Sequence, residues 1–270
     1  MPPSIAPPQE LTDTQSQPDT RQLPIDRVGV KNLRYPIQVR DKTRTLQSTI
    51  ATVTLTVDLP HHYKGTHMSR FIEALNAHGP ILHVDSIRQI LRELRKRLEA
   101  QRAHVDFEFP FFMEKQAPVT GAVGVMDYNV RFCATSFEGG GDFVMTVVVP
   151  VTTLCPCSKA ISENGAHNQR GKVTYSVRFT KPIWIEDLIR LAESCASSEL
   201  YSLLKRPDEK FVTERAYANP VFVEDLVRNL AARSNEHPDI TWYRIEAENF
   251  ESIHNHNAYA MIESGPGSTE

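Results

Sequence analysis

Ala51-Thr52-Val53-Thr54-Leu55-Thr56-Val57-Asp58 alternates apolar and polar residues without a break, which is the period of a strand with one face buried and one face open. Two helical patterns follow it. A short one runs from about Met68 to Ala77 and stops at Gly79-Pro80; a longer one runs from Ser86 to about Ala103, with Ile87, Ile90, Leu91, Leu94 and Leu98 on one stripe. Ser86 and Gln89 have the spacing of a capping box at its start. The period then returns to two over Val105 to Phe112, where Val105, Phe107, Phe109 and Phe111 share a face, and again over about Gly121 to Thr135.

The second half of the chain repeats that order. Phe143 to Val151 is β-branched and strand-like, and Val173, Tyr175, Val177 and Phe179 alternate with Thr174, Ser176, Arg178 and Thr180. Helices are predicted over Ile185–Ser194 and over Pro220–Ala232, the latter with Asn219 as its cap and Pro220 in the first helical position. Strands at Ile240–Glu248 and His254–Ile262 close the chain. Each half thus reads strand, strand, helix, helix, strand, strand, an α+β class built from tandem ββααββ units with antiparallel sheets and helices on one face. The units are expected over residues 23–138 and 139–263. Residues 1–22, rich in proline, glutamine, serine and threonine, are expected to be a disordered tail, and 264–270 a loose end.

Thirty Lys and Arg against 33 Asp and Glu leave a net charge of −3, which provides no field for bulk nucleic acid or an anionic membrane; an anionic small molecule would need a local basic cluster. The longest apolar stretch, Val144 to Val151, is interrupted by Thr146 and Pro150 and is too short to cross a bilayer. The N-terminus has no basic region leading into an apolar core. Four unevenly spaced cysteines, Cys133, Cys155, Cys157 and Cys195, do not make a disulfide scaffold and fit a reducing cytoplasm with thiols free for metal or chemistry.

The densest chemical signal is Cys155-Pro156-Cys157-Ser158-Lys159 with His167 downstream in Gly165-Ala166-His167-Asn168-Gln169-Arg170. Thiolate and imidazole both bind zinc and similar divalent metals. The spacing matches no common structural zinc cage, so one ligating cysteine with a supporting partner is favoured over four closed ligands; two incidental thiols are the alternative. A second cluster is Glu248-Asn249-Phe250-Glu251-Ser252-Ile253-His254-Asn255-His256. On a strand, His254 and His256 would face one side with Cα atoms roughly 7 Å apart, one suited to a metal and the other to protons; a solvated edge strand is the bland alternative. Locally, Glu224 reads as an exposed helix residue four before Arg228, and Glu209 as a carboxylate in the charged loop Lys205–Lys210. Lys64, His67 and Arg70, at a strand-to-helix junction, could hold phosphates or simply form a capped surface turn.

Taken together, Val28–Pro36, Thr56–Pro60 through Lys64–Phe71, Cys155–Lys159 with Gly165–Arg170, and Glu248–His256 resemble the prokaryotic type IB GTP cyclohydrolase family in a joint, ordered match over residues 24 to 262. The resemblance implies a tunnelling fold that assembles into a barrel-based homotetramer with sites at subunit interfaces. It implies one divalent metal per site, zinc, manganese or iron(II), held at Cys155, Glu209 and His254 with His167 at or beside it. It implies further that Glu224 anchors the guanine of GTP and that Glu251 and His256 stand in the active site with the catalytic Cys155 and His167. Competing readings are a nitrile reductase of the same superfamily, whose nicotinamide-binding signature is not found here, and a non-catalytic metal- or purine-binding protein.

Overall fold

The computed structural model describes residues 13–15, 17–43 and 46–264. Of the expected tails, residues 1–12 and 265–270 lie outside the described residues. Residues 13–15 and 17–22 do not behave as a free tail. The backbone N–H groups of Lys64 and Gly65 donate to the carbonyls of Gln17 and Gln15, and Asp19 N–H donates to His62. Backbone pairing of this kind offsets the ordering cost that the polar composition alone does not meet.

The first unit comprises β1 (Ile25–Val39), β2 (Gln47–Leu59), α1 (Met68–Asn76), β3 (Ile81–Leu82), α2 (Val84–Arg97), β4 (Ala103–Gln116) and β5 (Val123–Phe137). The second comprises β6 (Gly140–Leu154), α3 (Pro156–Ile161), β7 (Asn168–Phe179), α4 (Ile185–Glu193), β8 (Ser198–Glu199), α5 (Arg206–Ala218), α6 (Val223–Glu236), β9 (Ile240–Asn249) and β10 (Ala258–Ser264). The strands make one sheet in the order β10-β9-β7-β6-β5-β4-β2-β1-β3, with β8 paired to β6. The β5–β6 hairpin, in register from Asn129↔Val148 to Phe137↔Gly140, carries the sheet from one unit into the next. The long strands pair antiparallel throughout, so the C-terminal ends of β6 and β9 and the N-terminal ends of β7 and β10 share one edge.

The alternation seen in the sequence is the burial pattern of the sheet. Ala51, Val53, Leu55 and Val57 are buried and their threonine neighbours half-buried, and Val105, Phe107, Phe109 and Phe111 are buried in phase on β4. Against that face pack Phe71 and Leu75 of α1, Ile87, Ile90, Leu91 and Leu94 of α2, and Leu188, Ile189, Leu226 and Leu230 of α4 and α6.

The helix ends differ from expectation for identifiable reasons. α2 begins at Val84, because His83 is the cap: its Nδ1 accepts from Ser86 N–H at 3.3 Å and its own N–H donates to Ser86 Oγ at 2.9 Å. Ser86 is therefore the third residue of the helix and not its cap, and Glu99, at φ +51°, ends the run well before Ala103. Asn219 terminates α5, its Nδ2 donating to Ala196 O at 2.9 Å, and α6 starts at Val223. The charged loop expected at Lys205–Lys210 is the first turn of α5, closed by Lys205 N–H donating to Asp208 at 2.9 Å.

Candidate functional site

The end of β6 and the start of β7 draw the first cluster together. Their ladder closes on Leu154↔Asn168, so Cys155 and His167 sit on the next rung, with Cys155 N–H donating to His167 O at 3.1 Å. Between them the chain turns through α3. Cys155 is its cap, with Sγ accepting from Ser158 N–H at 3.4 Å, and Pro156 fills the first helical position where no N–H is needed. Ser158 Oγ in turn accepts from His167 N–H at 3.0 Å. Cys157 is exposed and does not line the cleft formed here.

The second cluster arrives from the β9–β10 connection. His254 and His256 are not on a strand, since β10 begins only at Ala258. They lie in a bend that stacks the two rings at 5.0 Å between centroids and 15° between planes, so their proximity comes from the loop and not from strand alternation. Phe250 N–H donates to Arg170 O at 3.0 Å, and Glu248 is tied by Asn257 Nδ2 at 2.8 Å and Lys172 Nζ at 3.1 Å; these contacts fix both ends of the loop.

The two clusters and the start of α6 enclose a cleft of about 280 Å³. Cys155, His167, Glu224, Glu251, His254 and His256 all line it, and Val221, Phe222 and Val223 give it an apolar wall. Val221 is held there by its N–H donating to Leu154 O at 3.0 Å. Glu224 is not paired with Arg228, whose guanidinium instead approaches Asp225 at 3.8 Å.

Two further side chains shape the cleft and were not singled out from the sequence. Gln169 Oε1 lies 3.0 Å from His167 Nδ1 while its Nε2 donates to the buried Thr153 Oγ1 at 3.0 Å. Glu251 Oε2 stands 3.9 Å from the same Nδ1. Two oxygens near Nδ1 favour the tautomer protonated there, which leaves Nε2 of His167 as the free lone pair. Asn249 is 3% exposed, lines the cleft, and has an Oδ1 with no hydrogen-bond partner among the described residues. A Cβ on Gly171, its cross-strand neighbour, would come within 2.6 Å of that oxygen, so glycine makes room for the amide.

Four predicted site residues stand elsewhere in this chain. Glu209 is exposed on the first turn of α5. Lys64 Nζ donates to Gln17 Oε1 at 3.3 Å, His67 Nε2 is 3.2 Å from Asp13, and Arg70 donates to Arg97 O at 3.0 Å; all three are engaged with the N-terminal segment or with α2. Among the described residues no three His, Cys, Asp or Glu stand close enough to enclose a cation. The cleft nevertheless presents one thiol and three imidazoles, and this nitrogen and sulfur donor set suits zinc or a neighbouring divalent metal in its chemistry.

Over residues 11–260 the sequence matches the family described as type I GTP cyclohydrolase folE2. It is 66% identical over 258 residues to GTP cyclohydrolase FolE2 of Akkermansia muciniphila, covering 94% of this chain and 98% of that one. To the enzyme of the same description from Geobacter sulfurreducens it is 56% identical over 253 residues, with 94% and 98% covered. Among solved structures, uricase from Arthrobacter globiformis superposes with a TM-score of 0.53 at 10% identity over 91% of this chain and 95% of that chain. A uricase from Bacillus fastidious gives 0.54 at 6% identity over 89% and 93%. At such identities the likeness concerns the fold alone, the tunnelling fold.

Proposed function

Because the chain belongs to the type I GTP cyclohydrolase folE2 family, we propose that its cleft opens the guanine imidazole ring of GTP, giving 7,8-dihydroneopterin triphosphate and formate. The observation that carries this reading is the convergence of Cys155, His167, Glu224, Glu251, His254 and His256 on one cleft with an apolar wall.

Each residue has a task that its place allows. Guanine offers two adjacent donors, N1–H and the exocyclic amine, and the two oxygens of Glu224 can accept both. Val221, Phe222 and Val223 cover the ring and exclude water from its face. Water adds its oxygen to C8 while N7 takes a proton, and His256, stacked on His254 in the same bend, is the imidazole left to supply it. The C8–N9 bond then breaks, with N9 taking a proton and the former C8 becoming a formamide. A second water releases formate and frees the amine. The opened ribose rearranges and its carbonyl condenses with that amine, expelling one water; two waters enter and one leaves. Nε2 of His167, freed by the Nδ1 contact to Gln169, is the base or ligand at the cleft.

Cys155, Glu209 and His254, with His167 at or beside them, would hold one divalent cation, zinc, manganese or iron(II), whose charge makes a water acidic enough to ionise near neutrality. Glu209, Lys64, His67 and Arg70 lie off the cleft of their own chain, and we place them at the cleft of a neighbouring chain, in a homotetramer whose sites fall at subunit boundaries and whose sheets close into a barrel. The free thiols fit a cytoplasmic setting. Lys64 and Arg70 would then face the triphosphate.

Anaerobic incubation of chelator-stripped protein with GTP and each of the three metals should yield a fluorescent pterin after oxidation and one formate per GTP. GTP binding without pterin under all three metals would leave a non-catalytic purine-binding protein. Consumption of NADPH with a cyano-deazaguanine would instead identify a nitrile reductase.

A further inference from the structure

A second cavity, of about 370 Å³, opens where α2 crosses the β5–β6 hairpin. It lies at the opposite end of β6 from Cys155; with β6 running from Gly140 to Leu154, a rise of about 3.3 Å per residue puts the two sites roughly 45 Å apart along the strand. Arg88, Arg92 and Arg95 recur on one face of α2 and all line this cavity. Two acids beside it, Asp142 and Asp85, are already committed. Both oxygens of Asp142 accept from Arg178, at 2.8 and 2.9 Å, and Asp85 takes one contact from Arg88 at 3.3 Å. Arg92 has no hydrogen bond or ion pair among the described residues. Arg95 Nη1 donates a long bond to Ser136 Oγ at 3.5 Å, while its buried Nε has no acceptor among the described residues.

Three guanidinium groups with so little counter-charge repel one another, and a buried N–H without a partner costs free energy. Both penalties are relieved by one ligand, an anion with several acceptor oxygens. Guanidinium forks match phosphate oxygens in pairs, which lysines would not do as well. Arg92 and Arg95 stand on the C-terminal half of α2, where side-chain charge attracts the anion against the helix dipole. Phe137 and Phe143 line the same cavity, so apolar side chains stand beside the arginines.

We propose that this cavity is a phosphate-binding site separate from the catalytic cleft, taking either a free oligophosphate or the phosphate of a nucleotide. The test is isothermal titration of the full chain with sodium tripolyphosphate and, separately, with guanosine monophosphate. It compares the wild type, Arg92→Ala and Arg70→Ala. Arg92 is exposed, so its truncation leaves the core untouched, and GTP turnover in Arg92→Ala should match the wild type. Tripolyphosphate affinity should fall roughly tenfold in Arg92→Ala, the scale of one lost charge-assisted hydrogen bond, and persist in Arg70→Ala. A parallel loss for guanosine monophosphate identifies a nucleotide phosphate as the ligand; a loss for tripolyphosphate alone identifies the free anion. Affinities in Arg92→Ala equal to wild type, with binding lost only in Arg70→Ala, would overturn the proposal.

Discussion

The two halves of the sheet share an element order but not a chemistry. In the first unit, β1 and β2 are joined by residues 40–46 and β4 and β5 by residues 117–122, the latter a turn closed on itself by Ala117 and Gly121. In the second unit the corresponding connections, residues 155–167 and 250–257, deliver Cys155, His167, Glu251, His254 and His256 to one edge. The first turn of α6 offers Glu224 to the cleft; the first turn of α2, its counterpart, offers Asp85, which is exposed and paired with Arg88. The second unit also carries α5, which has no counterpart between α1 and α2. The same element order thus supplies strand ends twice, and the longer connections in the second half bring the candidate site residues to one edge.

Matched substitutions in the two units test that contrast. Cys155→Ala should leave no pterin fluorescence above a protein-free blank while Arg40→Ala, at the equivalent strand end, retains turnover; equal losses at both would dissolve the asymmetry. Glu224→Gln should lower kcat/KM by about 10- to 100-fold, the worth of hydrogen bonds to a charged acceptor, whereas Asp85→Asn should be silent in the same assay. Gln169→Leu should reduce kcat about tenfold with KM little changed, as the loss of a group orienting a histidine does, and circular dichroism should show an unaltered fold.

The smallest effect concerns α5. Burial would push the Asp208 carboxyl up, but donors from Thr120, Lys205 and Val119 outweigh it and hold the group below the ordinary carboxylate range. A depressed folded value means that its stabilisation is complete above the unfolded value of about 3.9 and disappears as pH falls through the lower folded one. Asp208→Asn should therefore lower the thermal midpoint at pH 7, and the gap to wild type should narrow on acidification below about pH 4. A gap that widened with acid would show that those hydrogen bonds do not favour the ionised form.

Strands were the most legible part of the fold, because period-two alternation maps directly onto one buried face, as Val53, Leu55 and Val57 do. Helix starts were less so. Asn219-Pro220 has the composition of a helix start, yet the Asn219 amide is spent on Ala196 O at the close of α5, a contact 23 residues back in the chain. α5 itself gave no apolar stripe: Phe211 and Tyr217 are both more than two-fifths exposed, and its placement rests on Asp208 and Arg215 instead. Within the site, cysteine and histidine types announced themselves, while their meeting depended on a loop bend that alternation does not encode. Gln169 and Asn249 are ordinary amides in sequence and gain their roles only from burial. Gly171, a glycine inside an otherwise regular strand, was the one available sign that a neighbour's side chain approaches closely.

The proposed activity requires the Cys155 thiol and the His254 imidazole to meet at one cation beside a guanine slot. Anaerobic loading of the metal-stripped chain with cobalt(II) reads this directly through the sulfur-to-cobalt charge-transfer absorption. One cobalt per chain with that band present in wild type, absent in Cys155→Ala and bound far more weakly in His254→Ala is the expected result. A band of undiminished intensity in Cys155→Ala would contradict it.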